Sequence, residues 1–285
     1  MIKKVSLIAI IAVSASCAMS FDDWGGEANY VDFNQSEPAG EEELLRANVE
    51  LGVGRMEIQP GSTENAYEVD MHFNELAFRP QVEFQREDGK ARLKVGLEGE
   101  GQSFRKMGET ILSLRLNPET PLHLDASTGV GESNIDLSGM RIRSLSLECG
   151  VGETSLAVTQ PNRSECDRVE VSSGVGAMEL IGLGNLSFRE FEFQGGVGGS
   201  KLDFSGDWAE LGDVDIEVGV GGIEILIPKD LGVEIRVSKG FFSEFSMPGF
   251  EKQGDTYFSD NIDQVDKVVK FNVRAGIGGV QIKWI

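Results

Sequence analysis

Few residues here are of types that do chemistry, and their spacing narrows what they could do. The chain has three cysteines, Cys17, Cys149 and Cys166, and two histidines, His72 and His123. Cys17 follows Ser14-Ala15-Ser16, small residues of the kind that precede a lipid-accepting cysteine, with Ser14 where such a lipobox usually has leucine. The alternative is ordinary signal-peptidase cleavage after Ala18 or Ser20. With Cys17 lipidated, Cys149 and Cys166 remain as an even pair, and a disulfide between them would contribute about 3 kcal/mol. Cys149 reads equally as a buried thiol, because it falls in an inward-facing column. The histidines sit in separate strand-like segments and read as structural.

No HExxH, CxxC or GxSxG motif occurs, and no serine, histidine and aspartate are spaced as a triad. The glycine turns do not follow GxGxxG or a Walker pattern and recur too often to be one phosphate loop. Gly195 to Ser200 (GGVGGS) has the look of a calcium-binding β-roll repeat. Ser200, however, stands where the ligand aspartate belongs, and the period is about 22 instead of about nine. No catalytic residue, cofactor or metal site is expected.

What organises the chain is a repeat. Gly-Val-Gly or Gly-Ile-Gly begins at Gly52, Gly129, Gly150, Gly174, Gly196, Gly219 and Gly276, and the steps from Gly129 to Gly219 are 21, 24, 22 and 23 residues. The closing glycines of the main copies are Gly131, Gly152, Gly176, Gly198, Gly221 and Gly278. Six residues after each first glycine stands an aliphatic residue (Ile58, Ile135, Leu156, Leu180, Leu202, Ile225, Ile282), and five after stands a polar one (Glu57, Asn134, Ser155, Glu179, Lys201, Glu224, Gln281). Alternation of period two means strands with one buried face. The expected fold is all-β: a single-stranded β-helix-like solenoid of about 22-residue coils, each reading strand, glycine turn, strand, loop. Glycine suits a corner where coils stack at roughly 4.8 Å, since it has no Cβ to strike the next coil. The valine between the glycines is expected to point inward, so that Val175→Asp would badly destabilise the fold.

Taken in order, residues 1–17 read as an export signal, with Lys3 and Lys4 before an apolar run from Val5 to Val13 that is too short to span a bilayer. Residues 18–43 read as an acidic tether, with docking of Trp24, Tyr30 and Phe33 as the alternative. Residues 44–120 read as a small N-terminal β section packed on one end of the solenoid, with strands near 67–73, 81–86 and 91–97 and turns at Arg79-Pro80 and 87–90. Residues 121–285 form the repeat body. It is interrupted by an excursion at 247–267 that is either a covering hairpin or a partner-binding surface. The 36 glycines in 285 residues exceed the ordinary share of about 7%. A formal net charge of −21 becomes −23 once Lys3 and Lys4 are lost with the signal. Such a surface repels nucleic acid and anionic headgroups, which leaves membrane association to the lipid on Cys17.

The stretches LGVGRMEIQPGSTENAYEVDMHFNELAFRPQVEFQREDGKARLKV and PLHLDASTGVGESNIDLSGMRIRSLSLECGVGETSLAV, with the closing VRAGIGGVQIKWI, resemble the toast-rack family. Similar repeats occur in adhesin-like domains and in the extracytoplasmic part of LiaF-type cell-wall-antibiotic-response proteins. The resemblance implies a non-catalytic extracytoplasmic β-helix-like domain. The expected function is therefore a structural, adhesin-like or envelope-stress binding module of the bacterial cell envelope, whose partner is an envelope protein or a surface glycan. A regulatory partner of a membrane complex is the alternative, and a polysaccharide-active enzyme on the same scaffold comes after that.

Overall fold

A computed structural model describes residues 28–99, 109–209 and 212–285. The export signal, Cys17 and Trp24 lie outside them. The strands are β1 (Tyr30–Pro38), β2 (Leu44–Pro60), β3 (Asn65–Asn74), β4 (Phe78–Glu87), β5 (Lys90–Gly99), β6 (Ile111–Leu116), β7 (Leu122–Asp136) and β8 (Ile142–Ala157). They continue as β9 (Cys166–Ile181), β10 (Phe188–Asp203), β11 (Asp213–Ile227), β12 (Gly232–Ser246), β13 (Phe250–Gln253), β14 (Thr256–Ser259) and β15 (Val268–Trp284). All belong to one open sheet, whose long central strands β2, β7, β8, β9, β10, β11, β15 and β12 lie side by side and parallel.

The glycine pairs are not turns between two strands. Each lies inside one continuous strand and bends it. In β7 the buried positions are Leu122, Leu124, Ala126 and Thr128, then Ser133 and Ile135, so the inward set passes from even to odd numbers across Gly129 and Val130. The ladder pairs Thr128 with Cys149 and resumes at Val130 with Val151, passing over Gly129. The second glycine takes a φ between +135° and +151° in every copy, a region open to glycine alone.

This change of parity overturns the inward valine. Val130, Val151, Val175, Val197, Val220 and Ile277 are 44–52% exposed, on the outer side of the corner. Val175→Asp should therefore cost under about 1 kcal/mol, whereas Leu180→Ala, which empties a fully buried position on the same strand, should cost about 2–5 kcal/mol. Urea midpoints of the two variants check the assignment, and equal losses would refute it.

The core lies between the two legs of the bent strands and the loops that join them. Leu137, Met140, Val158, Leu183, Leu186, Phe204, Trp208 and Leu231 come from those loops and are buried with the strand residues. The loops also stack. Leu137 N–H donates to Ala157 O, Val158 N–H to Ile181 O and Phe204 N–H to Leu226 O. The Asn185 side chain donates to Val158 O at 2.7 Å.

Three further expectations change. Residues 30–38, read as tether, form β1, which pairs antiparallel with β3. Phe33 packs on the core. The first section is not a separate unit, because β2 pairs with β7 from Leu45 to Ile58 with Val53 opposite Val130. On its other side β2 is covered by β5 along its first leg and by β6 along its second, so the sheet is capped and not left as an open edge there. Arg79-Pro80 lies inside β4, and the turn falls at residues 75–77 instead. β15 sits between β11 and β12, and within the 247–267 segment β13 and β14 form a hairpin whose β14 pairs with Glu234 to Arg236 of β12.

Candidate functional site

The corners and the outward positions after them form one surface. Pairing in register stacks the outward aliphatic residues into a column, so six branched side chains project at roughly 4.8 Å intervals. Two residues further along each strand stands a second outward column: Glu132, Glu153, Ala177, Gly199, Gly222 and Gly279, with Glu244 opposite Gly279 on β12. Four consecutive rungs thus carry an alanine or nothing, between glutamates at both ends. A third column holds Asn134, Ser155, Glu179, Lys201, Glu224 and Gln281.

The result is a trough of about 830 Å³, floored by Ala177, Gly199, Gly222 and Gly279, with the polar column from Asn134 to Gln281 along one side, Glu132 and Glu153 at one end and Glu244 at the other. The floor glycines differ from those of the corner. A Cβ on Gly199, Gly222 or Gly279 would meet nothing within 4 Å, and none of the three has positive φ. The fold does not require glycine there, and each costs about 0.5–1 kcal/mol relative to alanine in a strand interior. Glycine in a strand interior often marks a bend or a close approach to the backbone, and each of these glycines directly follows the bend glycine of its strand.

Charge in the trough is mostly paired along the stack. Glu132 meets Arg55 at 2.9 Å, Glu179 meets Lys201 at 2.8 Å and Glu224 meets Lys283 at 2.5 Å. The hydrogen bond to Glu179 holds the Lys201 ammonium above its ordinary pKa. These pairs are exposed, so each adds little to stability.

The other residues singled out by chemistry are not brought together. Cys149 and Cys166 are free thiols. Cys149 lies opposite Ser173 on β9, seven residues along from Cys166, a separation of about 23 Å at strand rise, so the disulfide is ruled out by the register. Cys149 contacts the Thr154 hydroxyl at 2.7 Å under the corner. Burial pushes the Cys166 thiol up to about 12. In the native protein Cys166 should resist iodoacetamide at pH 8 and react on unfolding, as mass spectrometry would show. Because its folded pKa exceeds the unfolded value, Cys166 contributes stability below the unfolded thiol pKa that is lost as pH rises toward 12. His72 Nδ1 lies 2.7 Å from Asp32 Oδ1, and its ring stacks on Tyr30 at 5.3 Å. These contacts join β1 to β3. His123 is bonded to Ser144 and held below its ordinary pKa by burial, then by Arg46 and Arg143.

The corner glycines were identified by spacing, but the trough was not. Its signal was the doubled glycine in Gly198-Gly199, Gly221-Gly222 and Gly278-Gly279, where the first glycine serves the corner and the second serves the floor.

Comparison with known proteins gives a family but no curated relative. A crystal structure of a "putative cell adhesion protein" from Clostridium sporogenes is 21% identical, with 90% of this chain and all of that one covered and a TM-score of 0.49. A "putative adhesin" from Bacteroides fragilis is 12% identical (91% and 100% covered, TM-score 0.33). A "putative lipid binding protein" from Parabacteroides distasonis is 9% identical (90% and 98% covered, TM-score 0.36). No curated protein sequence matches the chain. The family model described as the N-terminal domain of toast_rack, DUF2154, matches residues 26–181. That match spans more than half of the 285 residues, from β1 through β9, and the chain belongs to this family.

Proposed function

We propose that the protein is a non-enzymatic binding module of the bacterial cell envelope, exported, held to a membrane by lipid on Cys17, and adhesin-like in action. Its body is a β-solenoid of about 22-residue coils, each made of one bent strand and one stacked loop. The recognition face is the outer corner and the adjoining trough, and the partner is an envelope protein or a surface glycan. The observation that carries this reading is the aliphatic column itself: six neighbouring branched side chains, each about half exposed, on a protein otherwise covered with charge. Contiguous exposed apolar surface of this kind marks interaction sites. A non-catalytic role is supported by Glu132, Glu179 and Glu224 of the trough, each held in an ion pair with a cation.

The hairpin at 247–267 is better suited to covering the end of the sheet than to regulation. Phe250 stacks on Trp284 at 5.2 Å, and the Trp284 indole N–H donates to Pro248 O at 2.8 Å, which ties the hairpin to the last strand.

Photocrosslinking in the native envelope tests the proposal, with the reactive residue placed at Val175 or Val197 and, as control, at Asp88 in the exposed β4–β5 turn. Capture of one protein or glycan component from the corner positions and not from Asp88 is expected. Equal capture from all three, or none from the corner, would refute the assigned face.

A further inference from the structure

Every described arginine but three makes an ion pair or a hydrogen bond within the described residues. The three are Arg46, Arg92 and Arg143, and the pairing of strands brings them to one place. An outward row runs Gln85, Arg92, Arg46, His123, Ser144 across β4, β5, β2, β7 and β8. It holds no carboxylate, although the chain has 47 Asp and Glu against 26 Lys and Arg. Arg46 and Arg92 are exposed and directly opposite each other, a placement of like charges that by itself destabilises a sheet. Arg143 joins the row through a bulge: Leu122 faces Ile142 and His123 faces Ser144, which leaves Arg143 as the extra residue on β8. Bulges re-aim side chains and recur beside functional sites. His123 feels both neighbours, since burial first and then Arg46 and Arg143 hold its pKa down.

We infer that this row binds the phosphate of a phosphate ester of a polyhydroxy alcohol, whose hydroxyls lie on the next outward row. The site is seven residues before the corner valines on each strand, about 23 Å at strand rise, and is independent of the recognition face proposed above. One guanidinium fork satisfies the two oxygens of a carboxylate. Three forks call for the larger oxygen set and the higher charge of a phosphate. The next outward row, two residues along, holds Glu83, Lys94, Asn48 and Asp125. With Arg46 and Arg92 it lines a depression of about 260 Å³. Asn48 Oδ1 is buried there with no hydrogen-bond partner among the described residues, and a buried acceptor left open calls for a donor. A free phosphate leaves that acceptor unmet. The rows are about 7 Å apart, a span that a phosphate joined to a short polyol bridges, with its hydroxyls donating to Asn48, Glu83 and Asp125. The two carboxylates also repel a second anionic group, so the ligand carries a single phosphate at this site.

The test titrates the full chain in detergent, at fixed ionic strength, with glycerol phosphate, inorganic phosphate, acetate and glycerol in a calorimeter. Glycerol phosphate should bind about tenfold tighter than inorganic phosphate, and acetate and glycerol should not saturate. Arg46→Gln, Arg92→Gln and Arg143→Gln should each weaken glycerol phosphate binding about tenfold or more. Arg274→Gln, which removes an exposed arginine already paired with Glu217, should leave it unchanged. Asn48→Ala should bring the ester down to the affinity of inorganic phosphate. Without ligand, Arg92→Gln should keep or raise the melting temperature, because it relieves the opposition to Arg46, so its loss of binding is not a loss of fold. Phosphatidylglycerol added to the micelles distinguishes the sources: competition with glycerol phosphate supports the site with a lipid headgroup as its ligand, and no competition supports it with a soluble or polymeric ester. Absence of saturable glycerol phosphate binding, equal binding of acetate, or an equal loss in Arg274→Gln would overturn the site. An unchanged preference for the ester in Asn48→Ala would overturn the polyol assignment.

Discussion

Gly176→Ala should lose about 4 kcal/mol or more in urea-induced unfolding, a loss shared by the equivalent corner glycines. Gly176 is the second glycine of the β9 corner, with φ at +151°, where an L side chain is strained whatever the space around it. There is no space either. A Cβ would overlap the carbonyl oxygen of Gly152 on β8, and Gly198 is placed against Gly176 in the same way. Relief would require separating two rungs of a parallel ladder and breaking the bonds that pair Gly152 with Gly176 and Gly176 with Gly198. Gly199→Ala is the matched control. It lies one residue beyond the next corner glycine with open space at its Cβ, and it should be neutral or stabilising by about 0.4–1 kcal/mol. If the two substitutions behaved alike, the distinction between corner and floor glycines would be wrong.

Phe204→Ala is the second large effect, at about 3–5 kcal/mol. Phe204 belongs to the loop between β10 and β11 and is fully buried. Its ring meets Phe191 of β10 edge-on at 5.4 Å and Phe271 of β15 edge-on at 5.2 Å, and it stacks with Trp208 at 6.2 Å. Its carbonyl also accepts the Trp208 indole N–H at 2.9 Å. Aromatic pairs add about 0.5–1.5 kcal/mol beyond burial, and alanine would lose three of them while opening a cavity beside β15. Phe204→Leu, closer in volume, should cost less than half as much. Hydrogen exchange should show β15 amides opening first in Phe204→Ala, because Phe271 is the contact that joins the inserted strand to this cluster. Unchanged β15 protection would show that the ladders alone hold that strand.

Much of the fold was legible because its determinants are periodic. The aliphatic residues at Ile135, Leu156, Leu180, Leu202, Ile225 and Ile282 and the polar residues just before them state a strand with one buried face, and the neighbours from Ile135 to Ile225 repeat the statement at steps of 21 to 24 residues, with Ile282 57 residues further on. The site was less legible. Val175 and Leu180 are both aliphatic, and nothing in their names shows that one projects outward and the other is buried. The strand called a tether, β1, carries the alternation Val31, Phe33 and Gln35, too short and acidic to read as paired without β3 in view. The disulfide reading failed because spacing in sequence carried no information about where along their strands Cys149 and Cys166 would fall.

By itself, the sequence determined the strand content and marked the glycine pairs, because side-chain alternation is a local property and the pair recurs seven times. Only the tertiary structure decided which way the valines face, where β15 is inserted, what covers β2, and that a trough exists. The valines turn outward because the bend at each glycine pair shifts the inward set by one residue, an angle that glycine permits but does not dictate. The trough appears only when Ala177, Gly199, Gly222 and Gly279, tens of residues apart, are laid side by side by the long-range pairing of β9, β10, β11 and β15.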